Sequence, residues 1–356
     1  MTNLEKLQHA VAASGLEALL LIDPKNRFYA TDFPSSAGAV VVTPEDAWLF
    51  TDSRYIEAAQ SASQNRYHVA QNDRAHSLGD LVQQVLKARN VTKLGGEEHS
   101  LSHDDYLSYE KAVGIPLIPA QQLIMDLRAA KSADELTRMR QAQSITDAAF
   151  TEILNFLRPG VTEQAVAARL MYEMMRRGAQ RMSFDPIVVT GPRSSMPHGT
   201  PGETPLRPGD FVTMDFGCVY GGYCSDMTRT VAIGHATDEM AAVYNTVLRA
   251  QQAGIAAAKA GIPGKAVDKA GRDVIEAAGY GAYFGHGFGH SLGLDIHERP
   301  NASPTESRPM PDGCVCSAEP GVYLPGKFGV RIEDVVVFRE NGCEDLTKSP
   351  KELIIV

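Results

Sequence analysis

The chain has 356 residues and a formal net charge of -9 at pH 7, and 44% of its residues are hydrophobic. This length and hydrophobic content predict a large buried core, shared most simply between two domains, and exclude a disordered chain. The acidic balance argues against nucleic acid and an anionic membrane surface as partners, because both require a basic patch.

Nothing in the sequence indicates export or membrane insertion. Residues 1–8 are polar, and no apolar run approaches the roughly 18 residues of a membrane span, so a cytoplasmic location is expected. The five cysteines are an odd number. They predict buried free thiols, because no Cys-x-x-Cys spacing accompanies them.

Short apolar strands alternate with amphipathic helices over the first part of the chain. Strands are predicted at residues 16–22, 39–43 and 47–51, and helices at residues 77–88 and 103–112. This alternation is typical of a small α/β domain.

A change of pattern near residue 125 marks the predicted domain boundary, with one domain at residues 1–124 and a second at residues 125–356. The segment from Ser132 to Glu135 is a capping box, which predicts the start of a long helix. Apolar residues then recur at helical spacing as far as Leu157.

A faint internal repeat follows, in which residues 158–166 align with residues 259–267. Each copy follows one predicted helix, opens a second and leads into β-rich sequence. Two such copies imply a pseudo-symmetric domain, although so short an alignment also arises by chance. A site between the two halves of such a domain would take side chains from both.

Residues 211–233 predict a β-hairpin that carries two acids. With a two-residue turn at Tyr220-Gly221, Asp215 and Asp226 stand opposite each other, and their Cβ atoms lie roughly 4.5–5.5 Å apart. Like charges so placed destabilise a sheet unless a cation lies between them or one acid is protonated. The pair therefore predicts a metal site, although either acid alone is explained as an ordinary edge-strand or turn residue.

Three later stretches supply further metal-ligand side chains. Residues 286–298 hold His286, His290 and His297 among glycines, and the glycines beside His290 leave its imidazole free to reach a cation.

Two acids follow. Glu319 precedes a Pro-Gly turn, and Glu333 lies two residues after Arg331 in a strand predicted at residues 329–337, so Arg331 and Glu333 share a face. Taken alone, Glu319 is explained as a turn acid and Glu333 as the ion-pair partner of Arg331.

Together, five side chains form an oxygen-rich set with one imidazole: Asp215, Asp226, His290, Glu319 and Glu333. Such donors suit two hard or borderline divalent ions held roughly 3.5–4 Å apart. Mn²⁺ is the ion expected first, with Co²⁺ or Zn²⁺ as alternatives.

The segment from His286 to Glu298 resembles the proline-peptidase signature of the pita-bread metallopeptidases. The hairpin acids, Glu319 with its Pro-Gly turn, and Arg331 with Glu333 follow in that family's order. The first domain is similar, more weakly, to the family's creatinase-like N-terminal domain. The resemblance implies an α/β (α+β) fold, with a small creatinase-like α/β domain followed by a pseudo-symmetric pita-bread catalytic domain.

The activity implied by the resemblance is hydrolysis of the peptide bond preceding proline in dipeptides or other short peptides. The activity expected first is that of an Xaa-Pro dipeptidase (prolidase). The alternative is aminopeptidase P, which cleaves Xaa-Pro-Xaa peptides. A non-catalytic peptide-binding module and a creatinase-type amidinohydrolase are more distant alternatives. The family also leads us to expect a homodimer.

The resemblance further implies a role for each candidate residue. Asp226 and Glu333 would bridge the two ions, and His198 would steady the transition state. The implied metal ligands are Asp215, Asp226, His290, Glu319 and Glu333. The implied catalytic residues are His198, His297 and Glu319, and the implied substrate-binding residues are His286, His297, Arg331 and Tyr323. We add Phe184 as an apolar wall for the proline ring.

Overall fold

The computed structural model describes residues 1–356, which form two compact units, Met1–Arg128 and Ala129–Val356. Both units mix helices and strands, in agreement with the predicted fold class. The boundary predicted from the sequence, at residues 124 and 125, falls inside the helix Gln121–Ala129, and it stays a prediction. None of the helices is both long and apolar enough to cross a membrane.

The first unit is built on a six-stranded sheet with the order β4-β3-β2-β1-β5-β6. Its strands are β1 (Ala18–Leu21), β2 (Ala39–Val42), β3 (Ala47–Thr51), β4 (His68–Gln71), β5 (Leu94–Gly96) and β6 (Leu117–Pro119). Its helices are α1 (Asn3–Ser14), α2 (Pro24–Thr31), α3 (Ile56–Ser63), α4 (Leu78–Ala88), α5 (His103–Val113) and α6 (Gln121–Ala129). The central strands β1 and β2 are buried along their whole length, which explains their continuous apolar sequence.

A fully buried acid, Glu97, joins β5 to the start of α2. Its carboxylate accepts hydrogen bonds from the backbone N–H groups of Ile22 and Asp23, the latter at 2.8 Å, and from Asn26 Nδ2 at 2.7 Å. Asn26 in turn accepts a hydrogen bond from Arg128 Nη1 at 2.8 Å. Burial raises the pKa of Glu97 to about 7.

The second unit contains four helices and thirteen strands, besides two short 3₁₀ helices at Gly191–Ser195 and Gly281–Tyr283. The helices are α7 (Ala133–Leu154), α8 (Glu163–Met175), α9 (Asp238–Ala257) and α10 (Gly264–Ala277). The strands are β7 (Arg181–Met182), β8 (Ile187–Thr190), β9 (Phe211–Phe216), β10 (Cys218–Tyr220), β11 (Tyr223–Cys224), β12 (Met227–Ala232), β13 (Gly289–Ser291), β14 (Glu298–Ala302), β15 (Val315–Ala318), β16 (Gly321–Leu324), β17 (Phe328–Arg331), β18 (Asp334–Arg339) and β19 (Gly342–Asp345). They form sheets with the orders β11-β10-β7, β12-β9-β8, β14-β13-β15-β18-β19 and β16-β17.

The predicted capping box begins α7. Ser132 Oγ accepts a hydrogen bond from Glu135 N at 3.3 Å, and the Glu135 carboxylate accepts one from Ser132 N at 2.8 Å. The helix ends at Leu154, before the predicted end at Leu157. All five cysteines are free, and four of them are buried.

The predicted internal repeat is confirmed, because its two copies make matching backbone hydrogen bonds. In each copy, the turn before the second helix and the first residues of that helix bond to a later loop. The bonds of the first copy are Gly160 N to Leu206 O, Glu163 N to Thr204 O and Gln164 N to Gly202 O, and those of the second are Gly261 N to Met310 O, Gly264 N to Arg308 O and Lys265 N to Glu306 O. Each half therefore fixes one loop against the start of one helix.

The hairpin turns one residue later than the sequence predicted. Tyr220 pairs with Tyr223, so the turn consists of Gly221 and Gly222, whose φ angles are 55° and 85°. A two-residue hairpin turn of this kind needs positive φ at both central residues, which glycine adopts without strain and tyrosine does not.

The corrected turn changes the partner of Asp215. In the observed register Asp215 stands opposite Thr228, so the predicted cross-strand pairing of Asp215 with Asp226 is wrong. Asp226 lies two residues from Thr228. Because side chains alternate along an extended chain with a period of two, this offset keeps both acids on one face.

The raised pKa of Glu97 predicts that the first unit loses stability as the pH rises. Its ordinary pKa is 4.5, and its value in the folded protein is about 7, so between these values the folded protein keeps a proton that the unfolded chain releases. The free energy of unfolding then falls by roughly 3 kcal/mol across this window. The change Glu97→Gln should remove that part of the pH dependence.

Denaturant unfolding at about pH 5 and pH 8 measures the effect, and the fluorescence of Trp48, the single tryptophan, reports on β3 of the first unit. The neighbouring change Glu98→Gln is the control and should keep the wild-type pH dependence. An unchanged dependence in Glu97→Gln would contradict the assignment.

Candidate metal centre

A cavity of about 550 Å³ in the second unit gathers the predicted site residues. The residues of the predicted site that line it are Asp215, Asp226, His290, Glu319, Glu333, His198, His286, His297, Arg331 and Phe184. Tyr323 lies behind this wall, where its hydroxyl is 2.9 Å from His286 Nε2 and accepts a hydrogen bond from Arg331 Nη1 at 3.0 Å. The cavity therefore collects residues from both repeated halves.

Strand ends and breaks place the candidate ligands. Asp215 lies in β9 and His290 in β13, whereas Asp226, Glu319 and Glu333 each lie between two strands. The backbone N–H of Asp226 does not bond to a neighbouring strand but donates to Gln143 Oε1 of α7 at 3.4 Å.

The strand predicted at residues 329–337 is interrupted at Ile332 and Glu333, between β17 and β18. Glu333 N donates to Thr228 O of β12 at 3.1 Å, so the chain passes from one sheet to another at this point. Arg331 and Glu333 therefore do not share one strand. The ion-pair partner of Arg331 is Asp215, with Nη2 and Oδ2 2.6 Å apart.

Three candidate ligands converge most closely. Asp226, His290 and Glu333 each offer one ligand atom, and these atoms lie within 4.8 Å of one another. His290 Nε2 is 3.5 Å from Asp226 Oδ2 and 3.4 Å from Glu319 Oε1. Asp215 is not one of these three, and one of its oxygens accepts a hydrogen bond from Arg331.

Three carboxylate oxygens around this cluster are buried without a hydrogen-bond partner: Asp215 Oδ1, Asp226 Oδ1 and Glu333 Oε1. Burial raises the pKa of Asp226 and Glu333 well above the usual range, and repulsion from the neighbouring acids adds to it. Unpaired buried carboxylates are costly unless a cation neutralises them. Oxygen donors with one imidazole are what hard or borderline divalent ions bind, so these residues fit such a metal site.

The histidines are poised to remain neutral. Burial lowers the pKa of His290, His297 and His286, and the neutral imidazole is the form that binds a metal. His290 Nδ1 faces the carbonyl oxygen of Ser291 at 3.2 Å. A proton on Nδ1 would donate to this carbonyl oxygen and would leave the Nε2 lone pair directed toward the acids, where a metal ion would bind.

Arg331 and Thr228 connect the acids behind the cavity. The Arg331 guanidinium bonds Asp215 directly and Thr228 Oγ1 through Nε at 3.0 Å, and Thr228 Oγ1 donates to Glu333 Oε2 at 2.7 Å. The sequence analysis missed Thr228. Its position two residues after Asp226, on the same face of the hairpin, was the available signal.

Two family models match the chain. The model described as Metallopeptidase family M24 matches residues 137–340, and the model described as Creatinase/Prolidase N-terminal domain matches residues 3–130. The resemblance noted in the sequence thus extends over both parts of the chain.

Individual relatives match along nearly the whole length. A protein of Bacillus subtilis (strain 168) named Uncharacterized peptidase YqhT is 40% identical over 354 residues, which are 99% of each chain. A solved structure of an Xaa-Pro dipeptidase from Bacillus anthracis is 41% identical, with a TM-score of 0.95 and 99% of each chain covered. The crystal structure of an X-Pro aminopeptidase from Thermotoga maritima MSB8 is 34% identical, with a TM-score of 0.92, and covers 98% of this chain and 100% of that one.

These matches confirm the predicted pita-bread family, its creatinase-like N-terminal domain and the mixed α/β fold. By its sequence, its fold and the acids gathered in its cavity, the chain belongs to metallopeptidase family M24.

Proposed function

We propose that the protein hydrolyses the peptide bond preceding proline in Xaa-Pro dipeptides with the help of two divalent metal ions. The observation that carries this proposal is the set of buried, unpartnered carboxylate oxygens beside His290 in the cavity. The relative from Bacillus anthracis that is named Xaa-Pro dipeptidase supports the substrate class.

The residues proposed to hold the ions are Asp215, Asp226, His290, Glu319 and Glu333. The family resemblance assigns Asp226 and Glu333 to both ions, and each is buried and offers an oxygen without another partner. Divalent ions in such a site lower the pKa of a bound water and polarise the carbonyl that the water attacks.

His198 and Glu319 are the proposed catalytic residues that handle charge and protons. The His198 ring would donate a hydrogen bond to the scissile carbonyl oxygen as negative charge develops there. Glu319 would take the proton of the attacking water and pass it to the proline nitrogen. That nitrogen carries no hydrogen in the peptide, so it must gain one before it can leave as a neutral amine.

The proline ring must be recognised by shape, because a bond to proline offers no N–H for a backbone hydrogen bond. Phe184, His286 and His297 line the cavity and are the proposed walls. Tyr323 would keep His286 in place through the hydrogen bond between its hydroxyl and His286 Nε2.

A second candidate, aminopeptidase P activity on Xaa-Pro-Xaa peptides, is favoured by a specific feature of the cavity. Arg331 is the only arginine or lysine that lines it, and its guanidinium already bonds Asp215, Thr228 and Tyr323. The C-terminal carboxylate of a dipeptide therefore meets no free cation there, whereas a longer peptide places a neutral amide at that point. The relative from Thermotoga maritima named X-Pro aminopeptidase agrees with this reading.

Manganese, a homodimer and a cytoplasmic location complete the proposal. The oxygen-rich donor set supports Mn²⁺, and it also admits Co²⁺ or Zn²⁺. The homodimer and the location are the expectations given above for the sequence and the family it resembles.

Peptide length separates the two activities. We expect purified protein loaded with Mn²⁺ to hydrolyse an Xaa-Pro dipeptide, and a chelator to remove that activity reversibly. Cleavage of an Xaa-Pro-Xaa tripeptide alone would replace the proposal with aminopeptidase P. Failure on both peptides after Mn²⁺ is restored would favour a non-catalytic binding module.

Removing one proposed bridging ligand tests the metal assignment. The change Asp226→Asn should lower kcat/KM by roughly a thousand-fold or more and reduce the metal content measured by elemental analysis. Mn²⁺ should raise the melting temperature of the wild-type protein but not that of this variant, because only a folded state that binds the ion is stabilised by it.

The matched control is Asp185→Asn, which removes an exposed acid from the wall of the same cavity. It should keep both the bound metal and the Mn²⁺-dependent rise in melting temperature. Near-normal turnover in Asp226→Asn would remove the two-ion assignment.

A further inference from the structure

The loop that carries His198 runs from Gly191 to Thr204 and is fixed from outside the cavity by one buried acid. Glu163, the first residue of α8, is fully buried. We propose that Glu163 is the positioning residue for His198. This inference rests on the proposed function, since it takes from there the role of His198.

The Glu163 carboxylate holds both ends of the loop. Oε1 accepts a hydrogen bond from Thr190 N at 2.9 Å, and Oε2 accepts one from Gly202 N at 3.0 Å. Arg193 Nε donates to Oε1 at 3.0 Å, and Arg193 Nη2 donates across the loop to Thr200 O at 2.6 Å. Every acceptor position of this carboxylate is therefore directed at the loop backbone or at the arginine that spans it.

His198 depends on this support because its side chain is exposed where it lines the cavity. An exposed ring is not fixed by packing, so the backbone of its loop sets its distance from the substrate. Besides the backbone bonds from the start of α8, the loop also receives hydrogen bonds from Arg331 Nη1 to Pro197 O at 3.3 Å and from Gly329 N to Ser194 Oγ at 2.8 Å. A shift of the backbone at Thr190 or Gly202, where Glu163 holds the loop, would therefore change the position of His198.

The second repeated half holds its equivalent loop in a different way. At the position that matches Glu163 it has Gly264, and at the position that matches Gly202 it has Glu306. A Cβ on Gly264 would lie 3.0 Å from Glu306 Cγ, and the Glu306 carboxylate pairs with Arg308 at 2.7 Å. Both halves thus bury a glutamate paired with an arginine between the helix start and the loop. Only in the first half does the glutamate belong to the helix, and only there does the loop carry a proposed catalytic histidine.

The change Glu163→Gln tests the inference with little change in volume. A glutamine side chain replaces one acceptor oxygen with an NH₂ group, which would face the N–H of either Thr190 or Gly202. One anchor of the loop is then lost because two donors cannot bond each other.

A double-mutant cycle with His198→Ala separates positioning from a general effect on folding. We expect Glu163→Gln to lower kcat about 10-fold with little change in KM, as loss of a transition-state interaction does, and His198→Ala about 100-fold. In the His198→Ala background, Glu163→Gln should cost less than about 2-fold. Losses that multiply in the double variant would overturn the proposal.

Two further variants complete the kinetic test. Glu163→Asp keeps the charge and both acceptor oxygens and should recover much of the lost kcat. Glu173→Gln changes a buried, arginine-paired acid near the other end of α8, about 15 Å along the helix, and should lower stability without lowering kcat. A similar loss of kcat in Glu173→Gln would show that helix stability alone explains the effect.

Hydrogen exchange of the loop amides gives a measurement that does not depend on activity. Residues 191–204 should exchange faster in Glu163→Gln than in Glu173→Gln or in the wild-type protein. Unchanged exchange in Glu163→Gln would overturn the inference, whatever peptides the protein cleaves. A wild-type protein that cleaves no Xaa-Pro peptide would instead refute the proposed function and leave the anchoring of the loop to be decided by this measurement.

Discussion

The four carboxylates proposed as metal ligands share one cavity with a single guanidinium, and this surplus of negative charge is the constraint on which the rest of the site depends. Burial leaves the acids two ways to become neutral, by binding protons or by binding cations. The surroundings hold the acids in place while leaving oxygens open. Arg331 engages one oxygen of Asp215, and Thr228 engages one of Glu333, so the second oxygen of each stays without a partner. Such half-satisfied acids are what a metal requires of its ligands.

The duplicated architecture explains how distant parts of the chain reach this cavity. The first half supplies its two acids from a hairpin, and the second supplies one histidine and two further acids from strand ends. Rigid strands fix the direction of Asp215 and His290, whereas Asp226 and Glu333 occupy breaks where the backbone changes its partners. At these breaks the backbone N–H of each acid is not bonded within the sheets of its flanking strands. Asp226 and Glu333 can therefore both face the cavity although their flanking strands belong to different sheets.

Much of this arrangement could be predicted from the sequence, because residue type and order carry the chemistry. The capping box of α7 and the repeat needed only local patterns, whereas His198 and the substrate-side residues were assigned through the resemblance to a known family. The hairpin register was predicted wrongly although the sequence carries the signal, because Gly221-Gly222 suits a turn with positive φ at both central residues and Tyr220-Gly221 does not. The break at Glu333 was hidden, because apolar residues on both sides continue the pattern of a single strand. Thr228 and Glu163 were missed because ordinary polar residues gain importance only through partners that are distant in sequence.

The opposite placement of glutamate and glycine in the two halves has a consequence for substitution at these positions. In the first half the glutamate, Glu163, lies on the helix and faces Gly202 of the loop. In the second half the glycine, Gly264, lies on the helix and faces Glu306 of the loop. Moving the acid from one element to the other takes two coordinated substitutions. A single step either leaves Arg193 without its counter-charge or crowds two acids into the same space. The two positions in each half are therefore coupled, so that a substitution at either one alone is expected to destabilise the loop that the pair supports.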